Sequence, residues 1–308
     1  MAYPVAPGSA AYTGKWIPEI WSAKLNAKFY DATTIAAISN TDWEGEVRDK
    51  GDKVIIRQIP SITIRDYAKG QSLIYEQPES DNVELLVDKG HYWAIRLDDV
   101  DKVQADIEWI SKFTQDASEQ LKIKVDTQVF STVYADVSTT NSGLTAGRKN
   151  LGLNLGVTGT PLALDKTNII DKLVDAGTAL DENNIPEQGR FVVLPPAIIG
   201  AIKMSDLKDA SLSGDATSML RNGRVGMIDR FTVYSSNLLA SASDGGHTCW
   251  NMLFGHKAGL AFASQIPQGK VERLRAESSF GELVRGLCVY GYKVVKPEAL
   301  GNLYGYKA

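Results

Sequence analysis

The sequence predicts a mixed α+β protein, and three observations carry that reading. Residues 51–97 hold two stretches with strand-type alternation, joined by a polar segment. A helix-period pattern of roughly thirty residues follows it. The second half then returns to strand character in β-branched runs at Arg190–Leu194, Val225–Tyr234 and Val271–Val295. The bulk numbers agree: 308 residues, 44% hydrophobic and 23% charged, with 33 basic and 37 acidic side chains for a net charge of −4. Those proportions exclude a disordered, collagenous or coiled-coil chain, and the length suggests about two domains. The slight acidity excludes a protein that wraps nucleic acid through its overall charge.

Taken in order, Met1–Trp16 is small and punctuated by Pro4, Pro7, Gly8 and Gly14, with no period. It reads as an extended arm that orders only when something holds it. Pro18 suits a helix start, and Ile20, Trp21, Leu25, Phe29 and Tyr30 follow at helical spacing until about Asn40, so 1–50 is arm plus helix.

Residues 51–97 read as an extended β-ribbon. Val54 and Ile56 share one face, with Ile55, Arg57 and Ile59 on the other. Pro60 interrupts the ladder, which assigns this strand to an edge or a projection, and Ile62 and Ile64 resume the alternation. After the polar stretch Asp66–Asp81, Val83, Leu85 and Val87, then Trp93, Ile95 and Leu97, mark the return strand. A long two-stranded ribbon is marginal alone in water and needs something to lie on. The same pattern also fits an ordinary hairpin with a loose loop.

Next comes an amphipathic helix over Asp101–Val137, with Val103, Ile107, Ile110, Phe113, Ala117, Leu121, Val125 and Val129 as its apolar stripe. Asp98, Asp99 and Asp101 favour its N-terminus. Its remaining carboxylates, Asp116 and Asp126 among them, read as a solvated face rather than catalytic pairs. At 1.5 Å per residue it is a spar of about 45 Å. Ser138–Thr160 is a Ser/Thr/Asn/Gly-rich loop, and Thr167–Leu180 is a helix. Arg190–Pro196 is a buried-type strand leading into a helix over Ala197–Met204, and Leu207–Arg221 is polar. Strand signals return through Asn251–Ala263 and Val271–Val295, and Leu300–Tyr304 reads as a short tail.

Chemical motifs are missing. Gly152, Gly156 and Gly159 precede Thr160-Pro161 rather than the Gly-Lys-Ser/Thr of a phosphate loop. No nucleophile elbow or zincin helix stands in the chain, and His91, His247 and His256 do not cluster with Cys249 and Cys288 as a zinc set. The two cysteines read as free core thiols, and no stretch has the length of a membrane span or a secretory core. The expectation is a soluble, non-enzymatic chain with no catalytic residue, metal or cofactor, made in a reducing cytoplasm.

The order of these parts resembles the major capsid proteins of tailed bacteriophages, with the Hong Kong ninety-seven fold. Arg190-Phe-Val-Val-Leu-Pro-Pro196 is similar to that family's strand leading to the axial domain. Asn222-Gly-Arg-Val-Gly-Met-Ile228 with Phe231-Thr-Val-Tyr-Ser-Ser-Asn-Leu238 resembles its glycine-turn and Ser-Asn stretch, although Arg230 replaces the usual glycine. Phe280–Gly286 and Tyr290–Pro297 resemble its closing strands.

The resemblance implies an arm and helix (1–50), an extended loop (51–97), a peripheral domain with the spine helix (98–189), an axial domain (190–264), and return strands with a tail (265–308). It implies self-assembly into hexamers and pentamers of an icosahedral phage head in the host bacterial cytoplasm. Arg57, Arg65, Tyr67, Lys69, Tyr75, Glu76 and Glu79 would be the extended loop's contacts with a neighbouring subunit. Arg221, Arg224 and Asn237 would serve axial packing. Implied partners are copies of the same chain, a separate scaffolding protein, a portal, decoration proteins and non-specifically enclosed double-stranded DNA, with no membrane. Lys69 and Asn302 have the residue types of an inter-subunit cross-link seen in some relatives. Two other readings fit the same chain: an encapsulin-type shell enclosing a cargo enzyme, and a small-molecule enzyme on an α/β scaffold.

Overall fold

An alternating segment becomes a stable strand only where a neighbour completes its hydrogen bonds. The computed structural model describes residues 33–43, 53–60, 62–78, 82–98, 109–205, 226–266, 271–275 and 280–308. The expected arm, the helix after Pro18, the first turns of the spar, the polar 207–221 segment, and Glu79, Arg221 and Arg224 lie outside them.

The ribbon pairs β1 (Lys53–Arg57) with β2 (Asn82–Leu86) antiparallel, placing Val54 opposite Leu85 and Ile56 opposite Val83. Val54 and Ile56 are buried while Ile55 and Arg57 are exposed, the alternation the sequence predicts. The paired part is shorter than expected. Ile62 and Ile64 alternate but have no partner strand among the described residues, because the ladder stops before Pro60. The return strand also divides at Val87–Asp88, where the chain leaves the ribbon for a second sheet as β3 (Lys89–Asp98).

That sheet is built around β12 (Gly281–Val294). On one side β3 runs antiparallel to it, from Gly281 opposite Asp98 to Tyr290 opposite Lys89. On the other side β10 (Leu260–Ile266) and β11 (Val271–Arg275) lie end to end. The long helix α2 (Trp109–Val133) covers one face: its Leu121, Val125, Val129 and Phe130 are buried in one core with Cys288 and Tyr290. A polar seam fastens it there. Tyr290 Oη donates to Gln128 Oε1 at 2.8 Å, His91 Nε2 lies 2.9 Å from the same oxygen, and Thr132 Oγ1 lies 2.7 Å from Tyr292 Oη.

The third sheet has seven strands. Its main order is β4 (Leu162–Leu164), β13 (Leu300–Lys307), β9 (His247–His256), β5 (Arg190–Leu194), β7 (Phe231–Ser235) and β6 (Met227–Ile228), with β8 (Ser241–Asp244) added to β9. The helices α3 (Ile169–Glu182) and α4 (Pro196–Lys203) touch each other and β13, burying Leu173, Ala176, Leu180, Ile198 and Ile202. Leu300–Tyr304 is therefore no tail. It is part of an inner strand, hydrogen-bonded to β9 on one side and to β4 at its far end. The chain moves from this sheet to the second through Lys257–Gly259 and returns through Pro297–Ala299, so the boundary expected at 264 falls within β10.

Residues 138–160 form the expected loop, but a fastened one. It runs beside β13, where Tyr304 N donates to Leu155 O at 2.9 Å and Asn141 Nδ2 donates to Leu300 O at 3.1 Å. Gly156 sits there at φ 78°, and a Cβ would meet the Tyr304 carbonyl, so only glycine suits the turn.

Candidate assembly surface

The ribbon divides into a root that is already satisfied and a tip that is not. At the root, Val54, Ile56, Leu85 and Val87 are buried against Ala261, Ala263 and Val295 in a cluster separate from the main core. The apolar face that sequence reasoning sends to a neighbour is, at this end, spent on the chain's own body. Lys53 and Glu84 pair across the strands at 3.1 Å, and Gln58 Nε2 donates to Val295 O at 3.0 Å.

Beyond the root every residue from 62 to 78 is exposed. Ile59 is 96%, Ile64 91% and Tyr75 88% accessible, and Ile62, Tyr67, Leu73 and Ile74 are exposed with them. The tip nevertheless has a defined shape. Gln71 N donates to Ala68 O at 3.0 Å to close a turn, with Gly70 at φ 88°. Arg65 pairs with Glu76 across the two limbs at 2.5 Å, and Thr63 N donates to the other Glu76 oxygen at 3.3 Å. The Arg65 hydrogen bond, followed by that of Thr63, holds the Glu76 carboxyl below its ordinary value. Between the limbs runs a cleft lined by Ile62, Tyr67, Leu73, Ile74 and Tyr75.

Arg65 and Glu76 already pair with each other inside the loop. Arg57, Tyr67, Lys69 and Tyr75 are exposed. Asn237 is exposed just beyond β7, on the seven-stranded sheet. Asn302 lies within β13, half-buried, and its Nδ2 donates to Asn251 Oδ1 at 2.9 Å, so it is not the surface amide that a tail would carry.

A second open surface lies on the sheet face opposite α2. There Tyr92 and Leu287, directly cross-strand, are both exposed, with Leu274 and Phe280 toward the hairpin end. Sequence reasoning missed a buried carboxylate altogether. Asp126, assigned to a solvated face, is buried on α2 and accepts hydrogen bonds from Thr34 N at 2.6 Å and Ile35 N at 3.2 Å. It caps the short helix α1 (Ile35–Ile38), and Asn40 is bridged to Ala261 of β10 just beyond. The signal was available only as an Asp next to Val125 and three residues before Val129.

Among the described residues no three His, Cys, Asp or Glu side chains converge as metal ligands, and no helix is long and apolar enough to cross a membrane. Cys249 and Cys288 are free and buried, and burial pushes the Cys288 thiol up.

An exposed apolar projection on a body with two sheets and a spine helix is a shape that comparison can test. The sequence model of the phage capsid protein family matches residues 83–303. A chain from Mycobacterium phage Che8 superimposes with a TM-score of 0.78 at 27% identity, covering 95% of this chain and 98% of that one. The capsid of the cyanophage P-SCSP1u gives 0.72 at 15% identity, over 95% and 94% of the two chains. The mature capsid of bacteriophage PhiM1 gives 0.68 at 16%, over 93% and 91%. A search of curated proteins finds no match. With most of its length matched by the family and its fold shared end to end, the chain belongs to the phage capsid protein family, as a major capsid protein of the virion with the Hong Kong ninety-seven fold.

Proposed function

We propose that this coat subunit builds an icosahedral shell of hexamers and pentamers by laying its ribbon tip on a neighbouring copy. One observation carries the reading: the tip exposes seven large Ile, Leu and Tyr side chains between residues 59 and 75, on a loop whose own ion pair is already closed. Apolar surface of that kind on a single chain calls for a partner. Tyr67 and Tyr75 would anchor the contact, with Arg57, Lys69 and Glu79 at its rim setting orientation more than affinity. Arg65 and Glu76 would act from within, by holding the tip's shape.

The sheet around β12 with α2 then serves as the peripheral domain. The seven-stranded sheet, β13 included, serves as the axial domain, whose contacts form a ring that closes about the capsomer axis. Arg221, Arg224 and Asn237 would serve the packing of that ring. A separate scaffolding protein, a portal and decoration proteins complete the head, which assembles in the host bacterial cytoplasm. Double-stranded DNA is confined without sequence reading, consistent with a net charge of −4. Nothing in this function calls for catalysis, and the family match favours a phage coat over an encapsulin or a small-molecule enzyme.

Deleting Tyr67–Pro78 should leave a soluble, folded subunit that forms no closed shells in negative-stain electron microscopy. Normal particles from that deletion would sink the reading of the tip.

A further inference from the structure

The tip can meet a neighbour correctly only if the ribbon leaves the body at the right angle, and the root shows what sets that angle. Successive residues of β12 face opposite sides of its sheet. Val284, Cys288 and Tyr290 are buried on one side, and Gly291 lies on the other, beside its cross-strand partner Ala263. The returning limb of the ribbon crosses there. A Cβ built on Gly291 would stand 2.0 Å from the Leu86 carbonyl oxygen and 2.9 Å from Val87 Cα. Both are main-chain atoms, so no side-chain rotation relieves the contact. The outgoing limb is held a short way along the same line, where Gln58 Nε2 bonds Val295 O at 3.0 Å.

Two fixed points define a direction. From residue 291 to 295 is about 13 Å of extended chain, whereas the tip reaches up to roughly 40 Å from Gln58 along its own limb. A methyl group at position 291 would have to push the limb by about 1.4 Å to reach ordinary contact. Tilted about the second point, that becomes a displacement of about 4 Å at the tip. The root cluster shares no residue with the main core, so the tilt is taken up first at the root.

We propose that Gly291 is a positioning residue for shell assembly: its bare main chain seats the ribbon and thereby aims the tip at the neighbouring subunit. This rests on the tip being the inter-subunit element.

The test is a distance measurement in the unassembled full-length subunit, with spin labels on Lys69→Cys and Lys166→Cys, alongside shell formation by the unlabelled protein. Gly291→Ala should shift the modal distance by several ångströms, keep the body's circular dichroism, and abolish shells or alter their diameter. Gln58→Ala, which frees the other limb without adding bulk, should broaden the distance distribution and decides the matter should Gly291→Ala not fold. An unchanged distribution in a folded Gly291→Ala subunit, or in Gln58→Ala where that variant decides, would overturn the inference, as would native shells from the deciding variant. The Tyr67–Pro78 deletion separates the two readings. If it still closes shells while Gly291→Ala moves the tip, the tip's role falls and the seat stands. If it abolishes shells while Gly291→Ala moves nothing, the seat falls and the tip's role stands.

Discussion

At residue scale the buried Asp126 is the least expected group in the chain. Burial drives its pKa above the ordinary 3.8, and the two backbone N–H donors pull it down without prevailing. Between the ordinary value and the raised one, the folded chain holds a proton that the unfolded chain has lost. Stability therefore falls as pH rises through that interval and is level above it. Asp126→Asn keeps a carbonyl oxygen for both donors and removes the charge, so its thermal midpoint at about pH 7 should equal or exceed the native one, the gap narrowing toward about pH 4. Asp126→Ala leaves both donors unpaired and should cost about 1–2 kcal/mol. Midpoints measured at the two pH values decide: equal losses for Asn and Ala would mean that the charge itself holds α1. Arg230 makes a related compromise. It sits at φ 67° beside Asp229 at φ 43°, a hairpin turn that glycine suits. Its guanidinium reaches Asp181 at 2.9 Å and Glu187 at 2.7 Å, and the Asp181 hydrogen bond raises its pKa. The left-handed backbone is held by contacts on α3 and the following loop, which is how an arginine can occupy the place of the family's usual glycine.

At element scale α2 is half anchored. Leu121, Val125, Val129, Phe130 and Val133 are buried, whereas Phe113 and Ala117, on the same predicted stripe, are only partly covered. The less deeply buried turns of a helix open more readily than the deeply buried ones. Hydrogen exchange in the free subunit should show amides 113–118 exchanging much faster than 121–133, with the difference shrinking after assembly. Equal protection in the free subunit would count against it. The sequence made α3, α4, β5 and the α2 stripe readable to within a few residues, because their periodicity is local and their burial one-sided. Two elements misled. The ribbon strands look longer than their pairing, since alternation survives at Ile62 and Ile64 where no partner strand reaches. Conversely, Leu300–Tyr304 reads as a short tail, in a stretch where Gly301 and Gly305 interrupt the strand pattern. In the fold those gaps are filled from neighbouring strands, the Phe254 ring lying over Gly301 and Leu162 against Gly305. Asp66–Asp81 reads as polar in the sequence, yet Tyr67, Leu73, Ile74 and Tyr75 within it are exposed apolar surface, and the closure of Arg65 on Glu76 could not be read either, because it depends on how the two limbs fold together.

At the scale of the whole molecule, assembly should be driven by apolar contact more than by charge. The tip's cross-limb ion pair is internal, so screening it does not remove a bond between subunits. The subunit concentration at which shells form should change less than about threefold between roughly 50 and 500 mM salt. Ile64→Asp or Tyr75→Asp should each prevent closure while leaving a folded 33.5 kDa subunit. Light scattering across a salt series reads both outcomes, and a steep salt dependence would move the weight to Arg57 and Lys69.

The inner position of β13 bears on timing during synthesis. Its residues 305–307 pair with 162–164, and 300–305 pair with 250–255, so the seven-stranded sheet joins parts of the chain made far apart. A nascent chain grows at roughly 5–20 residues per second, and it cannot form those ladders until residue 307 has cleared the ribosome. Until then β9 lacks its neighbour on one side, and the loop over 138–160 has no strand to lie against. The ribbon tip emerges early and is sticky, but the body that would present it is completed only by the late strand. A subunit thus becomes competent to join a shell after translation has passed that strand, which keeps half-made chains out of the lattice.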